Sequence, residues 1–415
     1  MSGTYQRPPG TKDWWGDDAV RRRWIVEQAR GLFEAAGFGE IVTPTFEDTR
    51  VFARTSGEES DVVKKEMYTF TDRGDRSLTL RPEGTAGVIR AYIEDGMSRQ
   101  PQPVKLWYLA PMFRYNRVQR GRFREHYQFG VEVVGSEDPA VDAEVIGLQH
   151  RWYRRVGARA VELQLNSIGD AKCRPAYIEL LVAFLDEHAD ELCDECRERR
   201  HTNPLRVLDC KREGCQAVLA QAPKITDHLC EECAEHFAAV RGYLDAREVP
   251  YRLDHTLVRG LDYYTRTAWE FVSGELGAQA TIGGGGRYDG LAEELGGPPT
   301  PGIGFGSGVE RVAEVAGEMP AADRGWTAFA ILAADAAPRL HALMDEARER
   351  GVHCEAAFGG RSLRRILEWA SKRGAERVVI AGEDEWSRGE VAVRDMTSGD
   401  QRAVPLDGLL EELIG

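Results

Sequence analysis

The sequence predicts an α+β domain built on an antiparallel sheet, interrupted by an inserted, mainly helical module and followed by a smaller α/β domain. Three observations carry this reading. Strand-like runs rich in aromatic residues or glycine occur both before residue 170 and after residue 250. Seven of the eight cysteines crowd between Cys173 and Cys233, in a stretch whose texture differs from both flanks. After a polar break at 319–325, strand and helix patterns alternate to the end of the chain. The expected boundaries are 1–169 together with 250–320 for the sheet domain, 170–249 for the insertion and 326–415 for the last domain.

The elements follow in order. Val20, Trp24, Ile25, Ala29, Leu32 and Phe33 recur at helical spacing, and Gly37 ends that helix. FGEIVTPTFED reads as a β-rich run broken at Pro44, and SLTLRPEGTAGVIRAYIE as a strand, a turn at Pro82 and Gly84, and a helix. KLWYLAPMFRY and EHYQFGVEVVG read as two strands joined by the polar, arginine-rich segment from Asn116 to Arg124. Tyr177, Leu180, Leu181, Phe184 and Leu185 mark a helix entering the insertion, and AEHFAAVRGYLDAR a helix leaving it. PYRLDHTLVRGLDYYTRTAWEF is strand-like, ATIGGGGRYDGL is glycine-rich, and TPGIGFGSGVERVAEVAG is a strand feeding a helix. Residues 326–415 then give βαβαβ-like units.

The chain has 415 residues, with 54 Lys and Arg against 68 Asp and Glu, a net charge of −14. That charge argues against broad, non-specific nucleic-acid binding, which needs an extended basic surface. A local basic stretch exists nonetheless: five arginines fall between Arg114 and Arg124, interleaved with Tyr115 and Phe123. No apolar run approaches the roughly 18–20 residues of a membrane span, and the N-terminus lacks a charged start before a greasy stretch. A soluble, cytoplasmic protein is expected. In that compartment clustered cysteines mean metal ligation or inert thiols more often than disulfides.

Several residues could carry chemistry. Arginines in a loop between strands offer planar forks of donors to phosphates. Gln128 and Glu132 lie four apart on the returning strand, hence on one face, with Tyr127 and Phe129 on the other. Glu83 and Thr85 stand at a strand-to-helix turn and could receive an amino group, although a plain helix start with Thr85 as cap is the alternative. Arg259, Asp262, Tyr263 and Tyr264 fall together in a short run. GGGGRYDGL lacks the lysine of a Walker loop and the spacing of a dinucleotide fingerprint. The small residues ahead of Glu310 and Arg311 would let a nucleotide lie flat against a sheet. Cys193-x2-Cys196, Cys210-x4-Cys215 and Cys230-x2-Cys233 point to a structural zinc site using four of these six, with inert buried thiols as the alternative.

RPEGTAG, FRYNRVQRGRFREHYQFGVEVVG, RGLDYYT and GGGRYDGL with GIGFGSGVER resemble the signatures of one family, the class II histidyl-tRNA synthetases. IVTPTFED, with Pro44, is similar to the first class II motif at the dimer interface, the arginine hairpin to the second, and GFGSGVER to the third. RGLDYYT resembles the histidine-specific signature, which is more discriminating than any class II motif. The resemblance runs nearly end to end, and GEDEWSRGEVAVRDMTSGDQ is similar to the family's anticodon-binding domain.

The resemblance implies a class II catalytic domain that activates L-histidine with ATP and Mg2+ and transfers it to the 3′ end of histidine tRNA. It also implies a homodimer. Glu83, Thr85, Gln128, Glu132, Tyr263 and Tyr264 match residues lining the histidine pocket, with Tyr264 and Glu132 facing the imidazole. Arg114 matches the arginine on the α-phosphate and Arg259 the family's arginine beside it, both also flanking bound histidine. These two are the implied catalytic residues. Glu310 and Arg311 match third-motif residues at ATP, and Arg117 and Gln119 match loop positions that meet the extra guanosine at the tRNA acceptor end. Asn116 stands where the second motif usually has Glu, and His126 where a Phe commonly stacks on adenine. Altered nucleotide contacts are expected from these departures. The competing reading is a non-catalytic regulatory paralogue, the kind that partners a phosphoribosyltransferase in histidine biosynthesis. Such proteins typically lack the C-terminal domain and lose histidine-signature residues, both of which this chain has.

Overall fold

The computed structural model describes residues 4–56, 62–119, 121–261, 263–277, 280–320 and 325–414. Arg120 and Asp262 lie outside them. The chain forms two compact units, Met1–Met319 and Pro320–Gly415.

In the first unit, α1 (Gly16–Ala35) buries Ile25, Ala29, Leu32 and Phe33 as its spacing predicts, together with Val26, while Trp24 is half-buried and Val20 exposed; the chain turns at Gly37, where φ is +85°. It then runs through β1 (Gly39–Glu40), β2 (Phe46–Asp48), α2 (Thr49–Ser56), β3 (Tyr68–Thr71) and β4 (Ser77–Leu80). Next come α3 (Thr85–Glu94), β5 (Val104–Phe113), β6 (Glu125–Val134), α4 (Pro139–Arg155) and β7 (Val161–Ser167). Five helices follow: α5 (Arg174–Glu187), α6 (Asp194–Thr202), α7 (Pro204–Val207), α8 (Glu213–Leu219) and α9 (Glu231–Ala246). The unit closes with β8 (Arg252–Leu253), β9 (Thr265–Ser273), β10 (Thr281–Arg287), α10 (Leu291–Glu294), β11 (Gly302–Gly308) and α11 (Val309–Val315).

Among the described residues the main sheet has eight strands in the order β1-β5-β6-β11-β10-β9-β7-β8. The six inner strands are antiparallel, but both edges, β1 on β5 and β8 on β7, are parallel. The sheet is therefore mixed, where a purely antiparallel one was expected. Each edge strand is two residues long, too short to leave a periodic signal. A parallel neighbour requires a crossover, and helices α5–α9 are the crossover from β7 to β8. The described residues of 254–264, a run expected as strand, are loop, and β9 begins only at Thr265.

One face of the sheet packs on α1 and α4 through Phe33, Phe129, Val131, Trp152, Phe271 and Phe305. The insertion buries Tyr177, Leu181, Leu185, Val207, Val218 and Ile225 in a cluster continuous with Tyr263, Tyr264 and Tyr288. The helical module thus supports the loop that follows β8.

The second unit has a five-stranded sheet among its described residues. Its strands are β12 (Thr327–Ile331), β13 (Cys354–Ala356), β14 (Arg377–Ala381), β15 (Glu390–Asp395) and β16 (Gln401–Pro405), in the order β13-β12-β14-β15-β16. β12 pairs in parallel with β13 and β14, and the last two strands return antiparallel. Helices α12 (Ala337–Glu349) and α13 (Leu363–Lys372) supply Leu340, Met344, Ile366 and Ala370 to cores on the two sides.

Candidate active site

Cross-strand register builds the site's floor. Gly284 of β10 lies opposite Gly306 of β11, which lies opposite Gly130 of β6, opposite Tyr108 of β5. The next row runs from Gly286 through Gly304 and Glu132 to Leu106. Residues directly opposite share a face, so these glycines form a shallow backbone trough. Side chains from neighbouring elements enter the space they leave. A Cβ on Gly304 would fall on the Glu132 carboxylate, one on Gly306 on the Gln128 amide, and one on Gly286 would lie 2.7 Å from the Tyr264 ring. The glycine run is therefore a central strand which, with β11, is kept bare so that the side chains of Glu132, Gln128 and Tyr264 can lie across it.

Glu132 sits at the bottom, fully buried. Its Oε1 accepts from the Thr85 hydroxyl at 2.7 Å and more weakly from Tyr108 at 3.4 Å, and its Oε2 accepts from Tyr288 at 2.5 Å. Burial pushes its pKa up to about 8, against the downward pull of those hydroxyls. Gln128 shares this face four residues away and donates to the Tyr108 hydroxyl at 2.9 Å. Phe129 and Tyr127 take the opposite face, Phe129 in the core and Tyr127 under the Arg22 guanidinium at 3.9 Å.

Glu83 is buried and accepts from the N–H groups of Thr85 and Ala86 at 2.6 and 2.9 Å. It therefore caps α3, the role the plain reading gave to Thr85, and Thr85 is freed to hold Glu132. Burial raises the Glu83 carboxyl above its usual range. Tyr263 and Tyr264 are both buried, with ring centroids 4.6 Å apart. The Tyr263 hydroxyl has no hydrogen-bond partner among the described residues, as expected of a group that meets a ligand.

Arg259 pairs with Glu270 of β9 and lies over the Tyr264 ring, 5.6 Å from its centroid. Glu270 also accepts from Thr281 at 2.7 Å, so the carboxylate that orients Arg259 is itself held. Arg114, at the end of β5, donates to the Pro82 carbonyl at 2.6 Å, which places it beside the Glu83 turn.

The hairpin beyond Arg114 continues the ladder: Arg114 N–H donates to Arg124 at 2.8 Å, and Gln119 bridges Arg122. Arg117 and Gln119 are exposed. Asn116 is buried, and its Oδ1 accepts from Arg122 at 3.0 Å. The residue that departs from the second motif thus fixes an arginine of the same loop. His126 shares the face of Gln128 and Glu132; burial, with Arg114, Arg311 and Arg122 nearby, pushes its pKa down to about 3, which keeps the imidazole neutral. A neutral ring can stack on a base without charge repulsion from those arginines. Arg311, on α11, donates to the Thr281 carbonyl at the start of β10. Glu310 accepts from the Tyr127 N–H with its two oxygens, at 2.9 and 3.2 Å, and so pins α11 to β6.

Two site residues were missed in the sequence, Tyr108 and Tyr288. Both hydroxyls converge on Glu132.

Four of the six cysteines come together, and the other two join residues outside the six. Cys193, Cys196, Cys210 and Cys215 gather with their sulfurs within 4.8 Å of one another. Cys230 and Cys233 belong to a separate group with Asp170 and Cys173. Sequence spacing could not say which pairs meet.

A family model described as histidyl-tRNA synthetase matches residues 10–312, and one described as an anticodon binding domain matches 327–415. The chain is 48% identical over 408 residues to the histidine–tRNA ligase of Desulforamulus reducens, covering 97% of both chains. It is 47% identical over 412 residues to that of Pelotomaculum thermopropionicum, covering 98% of this chain and 97% of the relative. Among solved structures, apo histidyl-tRNA synthetase of S. aureus superposes with a TM-score of 0.83 at 36% identity, over 99% of this chain and 100% of that one. With the mixed-sheet unit, its helical crossover and the separate C-terminal sheet, these matches place the chain in the histidyl-tRNA synthetase family, with the class II synthetase fold.

Proposed function

We propose that the chain is a histidine–tRNA ligase, which joins L-histidine to ATP as histidyl-adenylate and passes the histidyl group to histidine tRNA. The observation that carries this is Glu132: a buried carboxyl ringed by hydroxyls, on a glycine floor, with arginines on the approach. A polar ring partner must be supplied to such a group, and an isostere lacking one leaves it unpaired at a high cost. Tyr264 and Glu132 hold the imidazole, Glu83, Thr85 and Tyr263 line the amino-group side, and Gln128 buttresses Tyr108.

A carboxylate oxygen of histidine attacks the α-phosphorus, pyrophosphate leaves, and the terminal ribose hydroxyl of tRNA then displaces AMP from the acyl carbon. The first step brings two anions together. Arg114 and Arg259 offset that repulsion, with Arg259 held ready by Glu270, and need no reorganisation as charge develops. Arg311 and the neutral His126 receive the nucleotide. Mg2+ supplies further neutralisation when it arrives on the ATP phosphates. The approach is lined by arginines, so this cation would be held mainly by the phosphates and water.

Other parts of the reading rest on separate observations. The chain works as a homodimer: Val42 and Phe46, flanking the first-motif Pro44, are exposed, with Phe70 exposed against Phe46. It works in the cytoplasm; no helix among the described residues is long and apolar enough to cross a membrane. Cys193, Cys196, Cys210 and Cys215 hold a structural zinc ion. Sulfurs at the roughly 2.3 Å of zinc–thiolate bonds lie about 3.8 Å apart in a tetrahedron, close to the spacing present. The Cys193 N–H already donates to the Cys215 sulfur at 3.2 Å, the kind of support such ligands receive.

The decisive experiment is histidine-dependent ATP–pyrophosphate exchange, followed by charging of a histidine tRNA transcript. Absence of exchange in folded protein would favour the regulatory-paralogue reading instead.

A further inference from the structure

The neck of the helical module carries a second cluster. Asp170 and Cys173 follow β7, while Cys230 and Cys233 open α9, and one carboxylate oxygen and three sulfurs lie within 4.8 Å of one another. The cluster repeats the construction of the first. Cys230 precedes Glu-Glu-Cys233 with φ −66° and ψ 162°; Cys193 precedes Asp-Glu-Cys196 with φ −69° and ψ 160°. In each, one cysteine caps a helix and the other sits in its first turn. Cys173 stands at the N-cap position of α5 with a different backbone, φ −102° and ψ −26°, so two helix N-termini converge on the group.

The opposite half is shaped to match. Asp170 N–H lies 3.4 Å from the Cys173 sulfur, and Asp170 Oδ1 lies 3.6 Å and 4.0 Å from the sulfurs of Cys173 and Cys230. Gly169 has φ +63°, and a Cβ there would come within 2.7 Å of the Cys173 sulfur. The Asp170 carboxylate is held beside the three sulfurs by the Lys172 N–H on Oδ1 at 2.9 Å and by Arg266 facing Oδ2 at 3.6 Å. A divalent cation would join that oxygen to the sulfurs, where thiols offer it only weak S–H donors. Three sulfurs and one oxygen suit zinc, and contraction to a tetrahedron at about 2.0–2.3 Å needs only small side-chain movement.

We infer that Asp170, Cys173, Cys230 and Cys233 form a second structural zinc site, distinct from the one at Cys193–Cys215. The ion clips the first helix of the module to the last. It also braces the histidine loop. Arg174, next to Cys173, donates to Ile168 at 3.1 Å, Gly169 at 3.1 Å and the Tyr264 carbonyl at 2.7 Å. Arg266, two residues beyond Tyr264, donates its N–H to Gly169 at 2.7 Å and holds φ +50°. These four ligands are therefore positioning residues for Tyr264, a role that rests on Tyr264 meeting histidine; the metal content does not.

The test is elemental analysis of full-length protein purified without added metal. Wild type should hold two zinc ions per chain, and titrating its thiols with a mercurial should release both into a colorimetric zinc indicator. Cys230→Ser with Cys233→Ser should leave one ion, and so should Cys210→Ser with Cys215→Ser. Asp170→Asn, a milder change, should weaken retention of one ion against a chelator and alter the absorption of the cobalt-substituted protein. Retention of one ion should also matter to substrate: Asp170→Asn should raise the KM for histidine several-fold with the KM for ATP within twofold. A metal content untouched by the Cys230 and Cys233 changes, or a Cys230–Cys233 disulfide trapped in protein lysed under alkylating conditions, would overturn the site. Equal effects on both KM values would overturn the positioning role.

Discussion

The Tyr288 hydroxyl donates to Oε2 of Glu132 at 2.5 Å, which ties the end of the glycine-rich strand to the centre of β6. The same carboxylate takes Thr85 of α3 on its other oxygen at 2.7 Å. Three elements far apart in the chain therefore set the orientation of one group, the one proposed above to read an imidazole.

Tyr288→Phe removes one donor without opening a cavity. A hydrogen bond to a charged or partly charged group contributes on the order of 1.5–3 kcal/mol. The KM for histidine in pyrophosphate exchange should rise tenfold or more while the KM for ATP stays within about twofold. Equal rises in both would show that Tyr288 supports the fold and not the pocket.

Glu132→Gln should exchange function for stability, with a defined pH signature. The wild-type carboxyl is held protonated up to about pH 8, far above its value in the unfolded chain. The folded protein therefore binds the extra proton between roughly pH 4.5 and pH 8, and its stability falls as pH rises through that window. Glutamine has no such loss. The variant's melting temperature should exceed the wild-type value by a margin that grows from pH 5 to pH 8, while exchange activity is lost. A margin independent of pH would mean the carboxyl is already ionised when buried.

Arg259→His should abolish adenylate formation with the fold intact, since the arginine acts on charge that develops during the reaction. Removing one such donor costs on the order of 3 kcal/mol, or a hundredfold and more in rate. Glu270→Gln should give a smaller loss in kcat, because it releases Arg259 without removing it. Exchange within a few-fold of wild type in Arg259→His would rule out this role.

Arg117→Ala should slow tRNA charging strongly and leave histidine-dependent exchange near normal, because Arg117 is exposed on the hairpin tip and away from the buried site. If the arginine reads a guanine edge, the variant should also lose preference for tRNA carrying the extra guanosine. A phosphate contact would weaken all tRNA variants alike. Unchanged charging would take the loop out of tRNA recognition.

Much of this site was legible in the sequence because strand alternation is a strong constraint. Gln128 and Glu132 had to share a face once the strand was assigned, and they do. Tyr108 was hidden because it sits in VKLWYLAPMF, where apolar neighbours on both faces mask a polar tip. Tyr288 was hidden because it follows glycines and reads as turn. The run 254–264 contains good strand formers that serve as pocket wall, so tertiary packing overrode local propensity. Glu310 shows a different limit: a motif position names a residue, but which backbone N–H it reaches depends on strands that are distant in sequence. The second cysteine group was missed because one ligand is a carboxylate and its partner cysteine stands twenty residues from the nearest other.

The floor under Glu132 and Gln128 is main chain, since Gly130, Gly284, Gly286, Gly304 and Gly306 present no side chains there. A surface made of main chain cannot be reshaped by point substitution: any side chain added to it collides with Tyr108, Gln128, Glu132, Arg259 or Tyr264. Depth is thus fixed, and only the sides are free to vary. Attempts to redirect the enzyme toward bulkier ring analogues should search at Thr85, Tyr108 and Tyr264, where a side chain can be made smaller without disturbing the ladder. Drift among relatives should follow the same asymmetry, with walls that wander and a bottom that stays bare.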